Sequence, residues 1–122
     1  MWDILLVGAG GFLGAQARYG VSNFAARKFG TAFPYGTYLI NLSGSLVLGL
    51  FLGLVSRAIL AEESYRWLVA VGFCGGYTTF STFSLESWQL LAGGKFAYAA
   101  AYILGSVILS IIGFGAGLWI LR

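Results

Sequence analysis

The sequence predicts an all-α integral membrane protein of four transmembrane helices, the third of them broken near the bilayer centre. Three observations carry that expectation. Of the 122 residues, 59% are apolar and only 9% charged, with a mean hydropathy of +0.86; a soluble domain carries about 25% charged residues, so polar surface is too scarce for water. The apolar residues fall into four runs, about 3–26, 35–57, 65–91 and 96–121, each at or above the roughly 20 residues a bilayer-spanning helix needs. The third run also has glycines and consecutive hydroxyl residues at its middle. Together the runs predict a single transmembrane domain over 1–122, with nothing left for a soluble one.

The first run opens on Met1-Trp2-Asp3. It lacks the basic n-region of a secretory signal and outlasts an h-region, so it is expected to be the first span. Arg18 falls near the far end of that span, where it can snorkel or face a vestibule and draw an anion. After Arg27-Lys28, the only proline, Pro34, precedes the second run; a proline there costs a helix no hydrogen bond. Asn41 lies about six residues into this run. A buried amide in lipid seeks a partner or a cavity, and polar glue between helices would serve as well as a pore.

Arg57 with Glu62-Glu63 separates the second run from the third, and Gly93-Gly94-Lys95 separates the third from the fourth. Tyr102, Ser106 and Ser110 recur every four residues on the fourth run, which puts three hydroxyls on one helix face. That stripe extends about 12 Å at roughly 1.5 Å per residue. The chain holds 19 glycines, and the spacings Gly10/Gly14, Ser45/Gly49/Gly53 and Gly113/Gly117 suit close helix packing in lipid. The lone Cys74 has no intrachain disulfide partner and reads as a small packing residue.

The middle of the third run reads Gly75-Gly76-Tyr77-Thr78-Thr79-Phe80-Ser81-Thr82-Phe83-Ser84. Its centre falls at about residue 78, so a helix break there would lie deep in the bilayer. Irregular backbone survives at that depth only when buried in protein or lining a polar cavity. Freed carbonyls would suit a cation; alternatively, the hydroxyls bond preceding carbonyls and the helix merely bends. Phe80 and Phe83 share a face. Acidic residues are expected away from this set: Asp3, Glu62 and Glu63 fall at ends or loops, and Glu86 lies about 12 Å beyond Thr78 along a helix. A cation or proton path would therefore lack its usual carboxylate.

The net charge of +3 comes from scattered residues, which argues against a nucleic-acid surface. Loop charges that set orientation are nearly balanced: Arg57, Arg66 and Arg122 on one side face Arg27, Lys28 and Lys95 on the other, with Arg18 making a fourth if it counts there. Such a chain can insert either way, and an antiparallel dual-topology homodimer fits that balance.

Three blocks, Gly10 to Tyr19, Gly36 to Gly44 and Gly72 to Ser84, resemble the Fluc/CrcB fluoride channels in order and spacing over nearly the whole chain, the third block most specifically. The resemblance implies a fluoride-specific channel, not an enzyme, that lets fluoride leave the cell passively and so relieves its toxicity. It further implies a multi-pass protein of a prokaryotic plasma membrane, assembled as an antiparallel homodimer with two pores. Asn41, Phe80, Phe83, Tyr102, Ser106 and Ser110 would then form the anion pore, with Thr79, Ser81 or Thr82 nearby and Arg18 at the vestibule. Backbone carbonyls of Gly75 and Thr78 would hold a structural sodium ion that is not transported.

A small multidrug-type antiporter has the same outline but needs an acidic residue deep in its first span, where this chain has only Asp3 at the edge. A non-transporting membrane scaffold would account for the glycines and hydroxyls as packing and polar glue.

Overall fold

The computed structural model describes residues 1–57 and 63–121. Glu62 and Arg122, which entered the loop and charge assignments above, lie outside the described residues. Every regular element among the described residues is helical. Helix α1 covers Trp2–Phe29 and α2 covers Tyr35–Ser56. Residues 63–77 form α3 from three contiguous stretches, Glu63–Tyr65, Arg66–Cys74 and Gly75–Tyr77, of which the middle one is π-helical. Helix α4 covers Phe80–Ala92 and α5 covers Phe96–Leu121.

Local chemistry sets the ends. α2 begins directly after Pro34. α4 stops at Gly93-Gly94, where Gly94 takes φ 74° and Lys95 N–H returns to the Leu90 carbonyl at 2.9 Å, the six-to-one bond of a left-handed helix terminus that favours glycine. Three described stretches are long and apolar enough to cross a membrane: Tyr35–Ser56, Glu63–Ala92 (α3 and α4 taken together) and Phe96–Leu121. α1 matches them in length, with 28 residues, but carries Asp3, Gln16, Arg18, Asn23, Arg27 and Lys28 and is not among them.

Helices pack pairwise through small residues. A Cβ on Gly10 or Gly14 of α1 would strike the carbonyls of Leu68 or Phe73 in α3, and one on Gly76 would come within 2.6 Å of the Gly11 carbonyl. On the other side, a Cβ on Gly49 of α2 would strike the Phe114 carbonyl of α5, and one on Gly117 would lie 2.6 Å from the Leu46 carbonyl. Backbones in contact gain dispersion energy that lipid cannot supply. Large apolar side chains point outward instead, among them Phe12, Trp88, Ile111 and Trp119, the surface expected of a protein whose solvent is hydrocarbon.

Candidate functional site

The site is built around the interruption between α3 and α4. Thr78 (φ −77°, ψ 157°) and Thr79 (φ −148°, ψ 124°) are extended. Two glycines and, after Tyr77, two β-branched threonines make a poor helix interior, and the threonine hydroxyls offer the backbone other partners. Thr78 turns both its N–H and its hydroxyl back to the Cys74 carbonyl, at 3.0 and 2.9 Å. The Thr79 hydroxyl accepts from Thr82 N–H at 3.2 Å and so caps the start of α4.

Asn41 of α2 clamps the gap. Its Oδ1 accepts from Thr79 N–H at 2.8 Å, and its Nδ2 donates to the Thr79 carbonyl at 3.0 Å. The backbone N–H requires an oxygen opposite, which fixes the amide orientation. In a continuous helix Thr79 N–H would bond the Gly75 carbonyl; here that carbonyl loses its helical donor to Asn41. The next carbonyl, Gly76, accepts from Arg18 Nε at 3.2 Å. α3 thus presents its carbonyl end, of partial negative charge, beside the N–H end of α4, of partial positive charge.

Two cavities meet at Thr79. One, of about 380 Å³, lies among α2, α3, α4 and α5 and is lined by Asn41, Gly75, Thr78, Thr79, Phe80, Phe83, Ser106 and Ser110, together with Ser45 and Cys74. The other, of about 460 Å³, is lined by Gln16, Arg18, Ser22, Thr37, Thr79 and Thr82. Phe80 and Phe83 stand side by side in the first, their ring centroids 5.6 Å apart. The hydroxyls of Ser106 and Ser110 are buried there without a hydrogen-bond partner, and a buried polar group left unpaired costs free energy unless something polar occupies the space before it.

The structure therefore gathers Asn41, Thr79, Phe80, Phe83, Ser106, Ser110, Gly75 and Thr78 around one space, and Arg18, Thr79 and Thr82 around a second. Ser81 is exposed, its hydroxyl 3.3 Å from that of Thr79, and lines neither cavity. Tyr102 shares the α5 face with Ser106 yet is fully buried, with its ring 5.3 Å from Phe83 and its hydroxyl donating to Glu86 at 3.5 Å.

The family profile described as CrcB-like protein, Camphor Resistance (CrcB), matches residues 5–118. The chain belongs to the CrcB family. Similar CrcB relatives include the fluoride-specific ion channel FluC of Chloroflexus aurantiacus, 46% identical and aligned over 98% of each chain. Another is FluC 2 of Nitrobacter hamburgensis, 48% identical over 98% of this chain and 97% of its own. FluC of Methylobacterium nodulans is 45% identical over 100% of this chain and 98% of its own. These bacterial relatives are named as ion channels, not enzymes, and the apolar helices make this CrcB chain a multi-pass membrane protein.

One expectation about the CrcB site needs correction. The axial distance along the helix sets Glu86 apart from the polar set, yet its Oε1 accepts from Thr37 of α2 and from Tyr102 of α5. The axial rise measured separation along α4 only, whereas the neighbours approach from the side. A half-buried carboxylate in an apolar helix is itself a signal of a functional partner, and Thr37, 4% exposed on α2, is its match.

Proposed function

We propose that this chain is a fluoride-specific channel that lets fluoride leave the cell passively and so lowers its toxicity. The carrying observation is the pair of unpartnered buried hydroxyls, Ser106 and Ser110, facing Phe80, Phe83 and Asn41 in one cavity. A small, strongly hydrated anion must exchange water for donors as it enters. Ser106 and Ser110 offer O–H groups, and Asn41 keeps a second Nδ2 hydrogen beyond the one given to Thr79. Phenylalanine ring edges carry the positive part of the aromatic quadrupole and can face an anion without the deep trap of a buried lysine. Arg18 in the second cavity would raise the local anion concentration, with Thr79 and Thr82 between it and the pore and Ser81 close by. The names of the relatives point the same way.

In this reading α1 completes a set of four membrane-crossing helices, the third span is broken near the bilayer centre at Thr78-Thr79, and two chains pair antiparallel as a dual-topology homodimer. The family resemblance adds a structural sodium ion, and the residues present fit one. The Gly75 carbonyl is relieved of its helical donor, open space surrounds the position where a Gly75 side chain would begin, and the negative end of α3 favours a hard cation with oxygen ligands. Gly75 and Thr78 carbonyls from both subunits would hold it. Bound there, the ion would neutralise the facing carbonyl ends and tie the subunits together without being transported.

The deciding experiment is fluoride against chloride efflux from liposomes containing the purified protein, without a proton gradient. Rapid fluoride release with little chloride release is expected. A folded dimer that releases no fluoride would sink the reading.

A further inference from the structure

A serine or threonine hydroxyl in or just after a helix can turn onto a carbonyl of the preceding turn. Ser43 does so to Ile40 at 3.3 Å, Ser56 to Gly53 at 2.7 Å, Thr78 to Cys74 at 2.9 Å and Ser84 to Phe80 at 2.9 Å. Among the described residues, three buried serine hydroxyls have no partner at all: Ser106, Ser110 and Ser87. The first two line the cavity already assigned to the anion. Ser87 is 7% exposed and sits on α4 only three residues after Ser84, which takes the ordinary bond.

Its position follows from its neighbours. Ser87 is four residues after Phe83 and three before Leu90, so the three share one strip of α4. The Phe83 ring lies 5.3 Å from that of Tyr102, and Leu90 packs in one cluster with Tyr102 and Ala99. Ser87 is thus bracketed by two residues that both rest on Tyr102, at the seam of α4 and α5, past the cavity wall and next in the chain to Glu86. An anion moving from Ser106 along this seam would otherwise meet the Tyr102 ring, whose hydroxyl is directed to Glu86, and then the Glu86 carboxylate, an acceptor that repels it.

We propose that Ser87 is a further ligand for the permeating anion, the donor that continues the line Ser110, Ser106 toward the end of the bundle where Thr37 and Tyr102 hold Glu86. The assignment rests on the channel reading above and extends its donor set from α5 onto α4. A hydroxyl with no protein acceptor has its proton to give, and fluoride is a compact acceptor that a single O–H can serve.

The test compares wild type, Ser87→Ala and Ser87→Thr as purified full-length protein in liposomes, reading fluoride efflux over a range of fluoride concentrations, with thermal midpoints measured alongside. Ser87→Ala breaks no hydrogen bond of the folded protein, so its midpoint should equal or exceed that of wild type. Its fluoride efflux should fall about tenfold, the effect of one lost bond to a charged group, while Ser87→Thr stays within about twofold because it keeps the donor. Efflux from Ser87→Ala at the wild-type rate would overturn the assignment and leave the channel reading standing. A lowered midpoint with a parallel loss of flux, or equal losses in the Ala and Thr variants, would also overturn it by making Ser87 a packing residue. No fluoride efflux from wild type would instead defeat the channel reading itself.

Discussion

Removing the Asn41 amide should unfasten the interruption between α3 and α4. Asn41→Ala deletes two hydrogen bonds, of 2.8 and 3.0 Å, and leaves both the N–H and the carbonyl of Thr79 without their partner. Each backbone group left unpaired costs about 1–3 kcal/mol. Water reaching Thr79 from the adjoining cavities offsets part of that sum, which leaves about 2–4 kcal/mol. For a chain of this length that corresponds to a thermal midpoint lower by roughly 6–15 °C, read by unfolding in one detergent at fixed sodium. Asn41→Asp sharpens the test. It keeps the acceptor for Thr79 N–H but sets an anionic oxygen against the Thr79 carbonyl, so the closer isostere should be at least as destabilised as the alanine variant. A packing role predicts the opposite order. An aspartate variant as stable as wild type, or an alanine variant within about 2 °C of it, would refute the clamp.

If the ring edges serve the anion as proposed, Phe80→Ile and Phe83→Ile should each stop most fluoride throughput in liposomes while the protein elutes in the same assembly as wild type; near-normal flux in both would make them packing residues. Rigorous removal of sodium should weaken assembly or activity, as followed by chromatography and efflux, and full activity without it would count against the carbonyl site. Alanine at two adjacent glycines separates packing inside one chain from contact between chains. Gly76→Ala places a methyl 2.6 Å from the Gly11 carbonyl and should abolish folded protein on expression. Gly75→Ala meets nothing within 4 Å in its own chain. A well-folded Gly75→Ala protomer that fails to dimerise would locate the partner and the shared ion at that face, whereas a normal dimer with normal sodium dependence would remove both from it.

Much of this fold is legible because membrane helices declare themselves in composition, and their ends in local chemistry. Pro34 precedes α2, Gly93-Gly94 follows α4, and the glycine and hydroxyl run from Gly75 falls where the helix stops at Tyr77 and resumes at Phe80. What stayed hidden is nonlocal. The amide of Asn41 meets a backbone 38 residues away, Arg18 reaches a carbonyl 58 residues on, and Glu86 takes its bond from Thr37 across 49 residues. Periodicity reports which residues share a face but not what that face meets, so Tyr102, Ser106 and Ser110 read as equals although the Tyr102 hydroxyl goes to Glu86 while the two serines have no partner. The π-helical turns over Arg66–Cys74 add a further shift, since a wider turn rotates every later side chain away from where a period of 3.6 puts it.

In the proposed channel a single gap can serve ions of opposite sign because a helix has two unlike ends and the interruption between α3 and α4 brings both to one place. Had α3 and α4 been continuous, the carbonyls of Gly75 and Gly76 and the first N–H groups of α4 would have bonded one another and neither end would carry charge. Holding them apart requires other partners for the backbone groups freed at the gap, and that task is divided between Asn41 on the Thr79 backbone, the Thr79 hydroxyl on Thr82 N–H, and Arg18 on the Gly76 carbonyl. Arg18 uses one carbonyl of the negative end, which leaves Gly75, on the open side of the helix, as the acceptor free for a cation. In the channel proposed above, the anion path then depends on the same three fastenings as the proposed cation site. Loosening any one should disturb both ions together, whereas a defect confined to Phe80, Phe83 or Ser106 should disturb fluoride alone.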